Sequence, residues 1–231
     1  YVPDGASKSP GIYRLTFNPT TETTSNLTLV APGQISGFDR PTASALGLDG
    51  KLYVGFKKTG SPIVRVTNPG GVAQIVEAVG ASSDARIVSS LGFMGNDLYV
   101  AQTTKLASIP NAWACMGGCI AGTSPYDSLA PTDFAFNGIG YLYVSDITSV
   151  WRIDLKTGAK VLYANSGVTT SGDVVAFAGV TSLGFEAAGN LLVTDDPALG
   201  HVPFRGHLWK VPTGANLPPP PGPAVAPAPA P

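Results

Sequence analysis

Acidic, basic and imidazole side chains come together in one stretch of 13 residues, from Asp195 to His207. The stretch begins with Asp195 and Asp196, carries Arg205 near its end, and contains both histidines of the chain, His201 and His207. Carboxylates and imidazoles in one loop are the residue types of a general acid/base site or of a transition-metal site. Asp-Asp-Pro also starts turns, and an Asp–Arg pair often does no more than hold a loop. We interpret the stretch first as structural, then as a ligand or partner contact, and last as catalytic.

Two further residues are candidates for binding, Asp146 on the same face and Trp113 for a separate possibility, sugar binding between blades. Asp146 follows a Leu-Tyr-Val run like the Leu-Leu-Val run before Asp195, so we expect both aspartates to emerge on one face. Trp113 lies in a predicted loop and is the tryptophan best placed to offer the exposed platform that sugar binding needs. No Gly-x-Ser-x-Gly elbow, phosphate-binding glycine loop or paired zinc motif is present. We therefore predict a binding surface and no catalytic residue.

The elements that position these residues are repeated along the chain. Each copy has a short apolar run, a turn with Gly or Asn, and a second run, which is the pattern of a β-hairpin. The second run recurs at steps of 46, 44 and 49 residues, as Leu52-Tyr53-Val54, Leu98-Tyr99-Val100, Leu142-Tyr143-Val144 and Leu191-Leu192-Val193, and Tyr1-Val2 matches it one step earlier. The first run reads Leu46-Gly47-Leu48, Leu91-Gly92-Phe93, Phe134-Ala135-Phe136 and Leu183-Gly184-Phe185.

A third run has the form apolar, any residue, basic, apolar. It occurs as Ile12-Tyr13-Arg14-Leu15, Ile63-Val64-Arg65-Val66, Val150-Trp151-Arg152-Ile153 and Leu208-Trp209-Lys210-Val211, whereas Leu106-Ala107-Ser108-Ile109 has serine in place of the cation. A fourth run is visible as Leu27 to Val30, Ala73 to Val76 and Lys160 to Tyr163. We expect the recurring cations to pair between neighbouring sheets or to extend to solvent. The recurring tyrosines Tyr53, Tyr99 and Tyr143 should pack between sheets.

Four strands in each repeat predict an all-β propeller over residues 1–216, because one four-stranded sheet cannot bury both of its faces alone. The first repeat lacks its inner strand and the fifth lacks its outer strand, which gives 18 strands in sheets of three, four, four, four and three. A ring with two incomplete sheets closes with five blades, or with six if residues lie upstream. Another chain can complete an open sheet by β-augmentation.

The inner strand, turn, Leu-Tyr-Val and Val-Trp-Arg-Ile-Asp pattern resembles the NHL-repeat and SMP-30-like β-propellers over about residues 1 to 216. That resemblance implies the fold, whereas its members include protein-binding scaffolds, lactonases, lyases and surface proteins. Enzymes of the SMP-30-like kind hold a cation at the central channel with oxygen ligands from several blades. The corresponding positions here are Ser44-Ala45, Ser89-Ser90, Thr132-Asp133 and Thr181-Ser182, of which Asp133 alone is acidic. We predict no metal ligand, interpret Asp133 as a cap at the start of a strand, and keep calcium as the alternative.

The composition changes after Asn216, since residues 218–231 hold 8 of the 21 prolines. We predict an extended polyproline tail or linker over residues 217–231, which is either a frayed end, a stalk to a surface structure, or a ligand for a peptide-binding partner.

Cys115 and Cys119 are the two cysteines of the chain, with Met116-Gly117-Gly118 between them. Two thiols do not make a zinc site, and the spacing differs from that of redox motifs. We predict a Cys115–Cys119 disulfide in an oxidising compartment, with two buried thiols as the alternative. Asn26-Leu27-Thr28 matches a glycosylation sequon.

The composition excludes some classes of function. The chain has 14 basic and 15 acidic residues, and no basic stripe that would bind nucleic acid. It contains no run of 18 apolar residues, so the sequence predicts no membrane-spanning helix. The chain starts without an export leader, so we expect any such signal to have been removed.

These observations predict an exported, non-catalytic module that binds protein or assembles at or outside the cell surface, because low charge favours association. The alternative is a small propeller hydrolase or lyase that uses Asp133 with Asp195, Asp196, His201 and His207, with or without a divalent cation.

Overall fold

The repeats form antiparallel β-sheets in the computed structural model of the chain. It describes residues 2–4, 11–18, 23–32, 41–56, 62–67, 74–81, 88–102, 104–115, 122–123, 130–196 and 206–212. These residues contain 20 strands and one three-residue 3-10 helix, Ala112–Ala114. The chain divides into two compact units, residues 1–103 with 107–124 and residues 104–106 with 125–231.

The sheets of the first unit follow the order of the first three repeats. The first sheet has the order β1 (Val2–Asp4), β2 (Gly11–Asn18), β3 (Thr23–Pro32). The second has the order β4 (Pro41–Leu46), β5 (Leu52–Phe56), β6 (Pro62–Thr67), β7 (Gln74–Ala81). The third has the order β8 (Val88–Met94), β9 (Asp97–Gln102), β10 (Lys105–Ile109), β11 (Gly122–Thr123). Each sheet is therefore a meander of neighbouring strands.

The second unit contains the fourth and fifth repeats and a hairpin between them. The fourth sheet has the order β12 (Asp133–Phe136), β13 (Tyr141–Ser145), β14 (Val150–Asp154), β15 (Lys160–Ala164). The hairpin pairs β16 (Ser166–Val168) with β17 (Val174–Ala176). The fifth sheet has the order β18 (Val180–Phe185), β19 (Leu191–Asp195), β20 (His207–Val211).

The strand assignment from the repeats agrees with these five sheets of three, four, four, four and three strands. Several details differ from it. No run was recognised for β11 of the third sheet. The β16–β17 hairpin was not predicted, and β4 ends at Leu46, so the prediction that Gly47 and Leu48 continue the strand is wrong. Gly47 begins a tight turn in which its N–H donates to the carbonyl of Lys51 at 2.9 Å and its carbonyl accepts from Gly50 at 3.0 Å. The number of blades stays a prediction.

Apolar side chains on facing sheets form the core of each unit. In the first unit, Tyr53 of β5 is fully buried and meets Phe93 of β8 edge-on, with the ring centroids 4.8 Å apart. In the second unit, Tyr143 of β13 is fully buried and meets Phe185 of β18 at 5.3 Å. The prediction that these tyrosines pack between sheets is thus confirmed. Burial also raises the pKa of both phenols.

The recurring cations are held by neighbouring groups. The guanidinium Nη1 of buried Arg65 donates to the carbonyl of Trp113 at 3.2 Å. Arg152 stacks on the ring of Tyr141 at 4.9 Å, and the Nζ atom of Lys210 lies 2.6 Å from Oε1 of Glu186. These three cations therefore each have a local partner, while the side chain of Arg14 lies outside the described part of the structure.

Candidate functional site

Asp195 organises the backbone around the candidate site. Its carboxylate is 1% exposed, and Oδ1 accepts hydrogen bonds from the N–H groups of Ala178 at 3.1 Å and Gly179 at 2.6 Å. The backbone N–H of the adjacent Asp196 donates to the carbonyl of Gly179 at 2.8 Å. A buried carboxylate is stable when such donors replace its water. Asp195 therefore anchors the segment that enters β18.

His207 lies directly opposite Asp195 in the β19–β20 register. Its Nδ1 atom is 4.0 Å from Oδ2 of Asp195, and its side chain is 46% exposed. The imidazole also packs on Trp209, with the ring centroids 5.1 Å apart. At 4.0 Å these two atoms lie beyond hydrogen-bond distance.

A cavity of about 510 Å³ adjoins this pair. Asp195, Asp196 and His207 line it together with two threonines, Thr181 and Thr194, whose hydroxyls lie 2.9 Å apart. The described residues thus bring together three of the five residues that the sequence pointed to in this stretch. His201 and Arg205 lie outside the described residues.

The turn that contains Asp146 contacts the start of β18 through Ile147, but Asp146 does not line the cavity. The carbonyl of the neighbouring Ile147 accepts a hydrogen bond from Val180 at 2.9 Å, one residue after the Gly179 that Asp195 holds. The Asp146 carboxylate itself accepts from the N–H of Thr148 at 2.8 Å and from the indole Nε1 of Trp151 at 2.9 Å. It therefore closes its own turn.

Asp133 joins two neighbouring sheets of the second unit. Its Oδ2 atom accepts hydrogen bonds from the N–H of Leu183 at 2.8 Å and from the hydroxyl of Ser182 at 2.9 Å, both in β18. Its Oδ1 atom accepts from the N–H of Phe134 at 2.8 Å, within its own strand. Both oxygens are thus engaged by strand donors. Across the described residues, no three His, Cys, Asp or Glu side chains are grouped closely enough to hold a metal ion.

Trp113 is half-buried, whereas the sequence predicted an exposed loop platform. It belongs to the 3-10 helix, packs against Phe93 with the ring centroids 6.4 Å apart, and buries its indole nitrogen. Cys115, just after that helix, is also buried. Cys119 lies outside the described residues, so the disulfide stays a prediction. The side chain of Asn26 and residues 213–231 also lie outside the described part.

A groove beside β20 was missed by sequence reasoning. Its volume is about 560 Å³, and it is lined by Ser166 to Thr170 of the hairpin and Leu208 to Pro212 of β20 and its end. The signal that could have found it was the predicted absence of an outer strand in the fifth repeat. Nothing in the sequence indicated that a hairpin would form the opposite wall.

Comparisons with solved structures identify the fold. A structure named as a candidate gluconolactonase is similar over 76% of this chain and 62% of its own, with a TM-score of 0.50 and 14% sequence identity. A chain of a nidogen/laminin complex is similar over 84% of this chain and 68% of its own, with a TM-score of 0.57 and 13% identity. The chain spans about three fifths of the length of the candidate gluconolactonase. No family model and no curated protein matches the sequence.

The sheets and these similarities define an all-β protein with a β-propeller fold. Because propellers of this fold include both a candidate lactonase and a chain from a protein complex, the fold alone does not decide the function. In the described part of the chain, no helix is long and apolar enough to cross a membrane.

Proposed function

We propose that this chain is an exported, non-catalytic propeller module that binds protein partners or assembles with further copies of itself. The observation that carries this proposal is the exposed outer edge of the fifth sheet. Leu208 on β20 is 66% exposed, and Val168 and Val174 of the adjacent hairpin are 65% and 71% exposed. Exposed apolar groups beside an edge strand are typical of a surface that another chain covers.

The use of the carboxylates supports the same proposal. Asp133, Asp146 and Asp195 each accept at least two hydrogen bonds from donors that hold strands, turns or the segment before β18. Carboxylates held by such donors stabilise the fold and have fewer lone pairs left for a substrate or a cation. The similarity to a chain of a nidogen/laminin complex is in keeping with a protein-binding role.

The test is the molar mass in solution, by light scattering, of the protein purified from its native source without denaturant. We expect a mass well above that of the polypeptide itself, which is 23.6 kDa for residues 1–231, from further copies or a retained partner. A single species with the mass of one polypeptide at every concentration would refute the proposal.

The export part of the proposal rests on the two cysteines. A local disulfide persists in an oxidising compartment and is rare in the cytosol. Intact mass spectrometry after alkylation under denaturing conditions tests it. We expect no label on Cys115 or Cys119 before reduction and one label on each after reduction. Labelling of both thiols without reductant would contradict export.

The second candidate is a small hydrolase or lyase, which the cavity beside Asp195, Asp196 and His207 favours. Its test is proton release from a sugar lactone, compared between the wild type and His207→Ala. An enzyme should lose its rate in the variant, and a divalent cation at its site should raise the melting temperature. A binding module should release no protons above the background rate and show no cation effect.

A further inference from the structure

Each of the three four-stranded sheets has a fourth, outer strand. The fifth sheet has no such strand among the described residues. In those sheets, the third strands β6, β10 and β14 are each paired with a fourth strand, β7, β11 and β15. β20 is the third strand of its sheet, with the same apolar, any, basic, apolar pattern as β6 and β14. No strand among the described residues pairs with the outer edge of β20.

The β16–β17 hairpin forms a wall beside this edge. Gly167 of β16 lies against Trp209 so closely that a Cβ atom there would be 2.1 Å from Cε3 of the indole. Side chains alternate across a strand, so Val168 points away from Trp209, and its register partner Val174 lies beside it. Between wall and edge lies the groove of about 560 Å³. An extended segment is the shape that such a groove and edge accommodate.

The proline-rich tail, residues 217–231, does not have the composition of a strand that could pair with β20. Residues 218–221 are all proline, and further prolines follow at 223, 227, 229 and 231. Proline has no backbone N–H, so it cannot donate to a strand ladder. The strand must therefore come from a segment of different composition.

The positive charge of Lys210 indicates which side chain the incoming strand would place opposite it. In the second sheet, Arg65 of β6 lies opposite Glu77 of β7 in register, whereas Arg152 of β14 in the fourth sheet lies opposite Val161 of β15. Lys210 is the residue of β20 that corresponds to Arg65, and it is the charged residue among those lining the groove. Its side chain stays 57% exposed although it pairs with Glu186. Because an ammonium has three donors, Lys210 can also bind a carboxylate on the incoming strand.

We infer that the outer edge of β20 binds an extended apolar segment of a partner protein, with a carboxylate opposite Lys210. This inference rests on the proposed function and deepens it, since it assigns the partner's chemistry and the strand that receives it. The bound segment completes the fifth sheet by β-augmentation.

A peptide with the sequence of residues 74–81, Gln-Ile-Val-Glu-Ala-Val-Gly-Ala, is the probe, because it is the fourth strand of the second sheet. Binding to the full chain is measured by fluorescence anisotropy of the labelled peptide. Two control peptides carry Ala78→Pro, which places a proline at a residue paired with Val64 in the β6–β7 register, and Glu77→Lys, which reverses the charge. The chain variants are Lys210→Gln and Lys210→Glu, each checked for folding by circular dichroism.

We expect the wild-type peptide to bind and the proline peptide to bind at least about tenfold more weakly. Lys210→Gln should weaken binding about two- to fivefold, as for a partly exposed ion pair. The Glu77→Lys peptide should bind Lys210→Glu better than it binds the wild-type chain. Equal binding of the wild-type and proline peptides, or no effect of either charge change, would overturn the inference.

Hydrogen exchange locates the site independently of these variants. Alternate amides within Leu208–Val211 should exchange more slowly when peptide is bound, because one edge of β20 becomes paired, while those of Leu142–Val144 should not change. A native partner that co-purifies while β20 still exchanges freely would refute this inference but leave the proposed function standing. Protection of β20 that rises with protein concentration in the absence of peptide would assign the edge to a second copy and also overturn the inference.

Discussion

Replacement of Asp133 by alanine tests whether this carboxylate is structural or a metal ligand. In the structure it links β12 to β18 through the N–H of Leu183 and the hydroxyl of Ser182. Leu183 is 8% exposed, so water cannot readily replace the lost acceptor. Ser182 is exposed and can turn its hydroxyl to solvent.

The cost follows from these two environments. A buried N–H left without an acceptor costs about 1–3 kcal/mol, and the lost bonds to a charged oxygen are at the upper end of that range. With a smaller contribution from Ser182, we expect Asp133→Ala to lower the free energy of unfolding by about 2–3 kcal/mol. Asp133→Asn keeps one acceptor oxygen and should cost about 1 kcal/mol. The melting temperature should fall by about 4–12 °C for the alanine variant.

The assay is chemical denaturation followed by tryptophan fluorescence, with melting curves in calcium and in a chelator. Asp173→Ala is the matched control, because Asp173 is exposed and accepts from Ser171 within its own turn; we expect it to change stability by less than about 0.5 kcal/mol. Equal stability of Asp133→Ala and the control would contradict a structural role for this carboxylate. Calcium stabilisation of the wild type that is lost in Asp133→Ala would make Asp133 a metal ligand instead.

Two further predictions concern the groove and the ion pair next to it. Gly167→Ala should lower the melting temperature by several degrees, since its Cβ would collide with the Trp209 ring, whereas Gly184→Ala has nothing within 4 Å and should be near neutral; equal melting curves for the two variants would contradict the packing. The hydrogen bond from Lys210 lowers the pKa of Glu186 below its usual 4.5. The pairing therefore stabilises the folded state above pH 4.5 and is lost as pH falls through the lowered pKa, and NMR titration should show Lys210→Gln raising that pKa.

The candidate site was predictable in its residue types but not in its contacts. Asp195, Asp196 and His207 could be selected as candidates from the sequence, because two carboxylates end one predicted strand and an imidazole begins the next. It could not show that Asp195 accepts two backbone hydrogen bonds from Ala178 and Gly179. Those donors are 17 and 16 residues away in sequence, respectively, and only the packing of the segment after β17 places them there.

The exposure of Trp113 is a second property that the sequence did not predict. As a residue between predicted strands it was expected to be exposed, yet a single 3-10 turn folds it against Phe93. Burial of a loop residue depends on what the loop packs against, and local sequence carries little information about that.

The sequence by itself determined the repeat, the order of the strands in the five sheets and, among the described residues, the open outer position of the fifth sheet. These features depend on the alternation of apolar residues, on turn residues and on the repeat, all of which are local. Tertiary structure decided which side chains meet across sheets, such as Asp133 with Leu183. It also decided that the β16–β17 hairpin lies beside β20 and forms a groove there, because contact between elements far apart in sequence depends on packing in three dimensions.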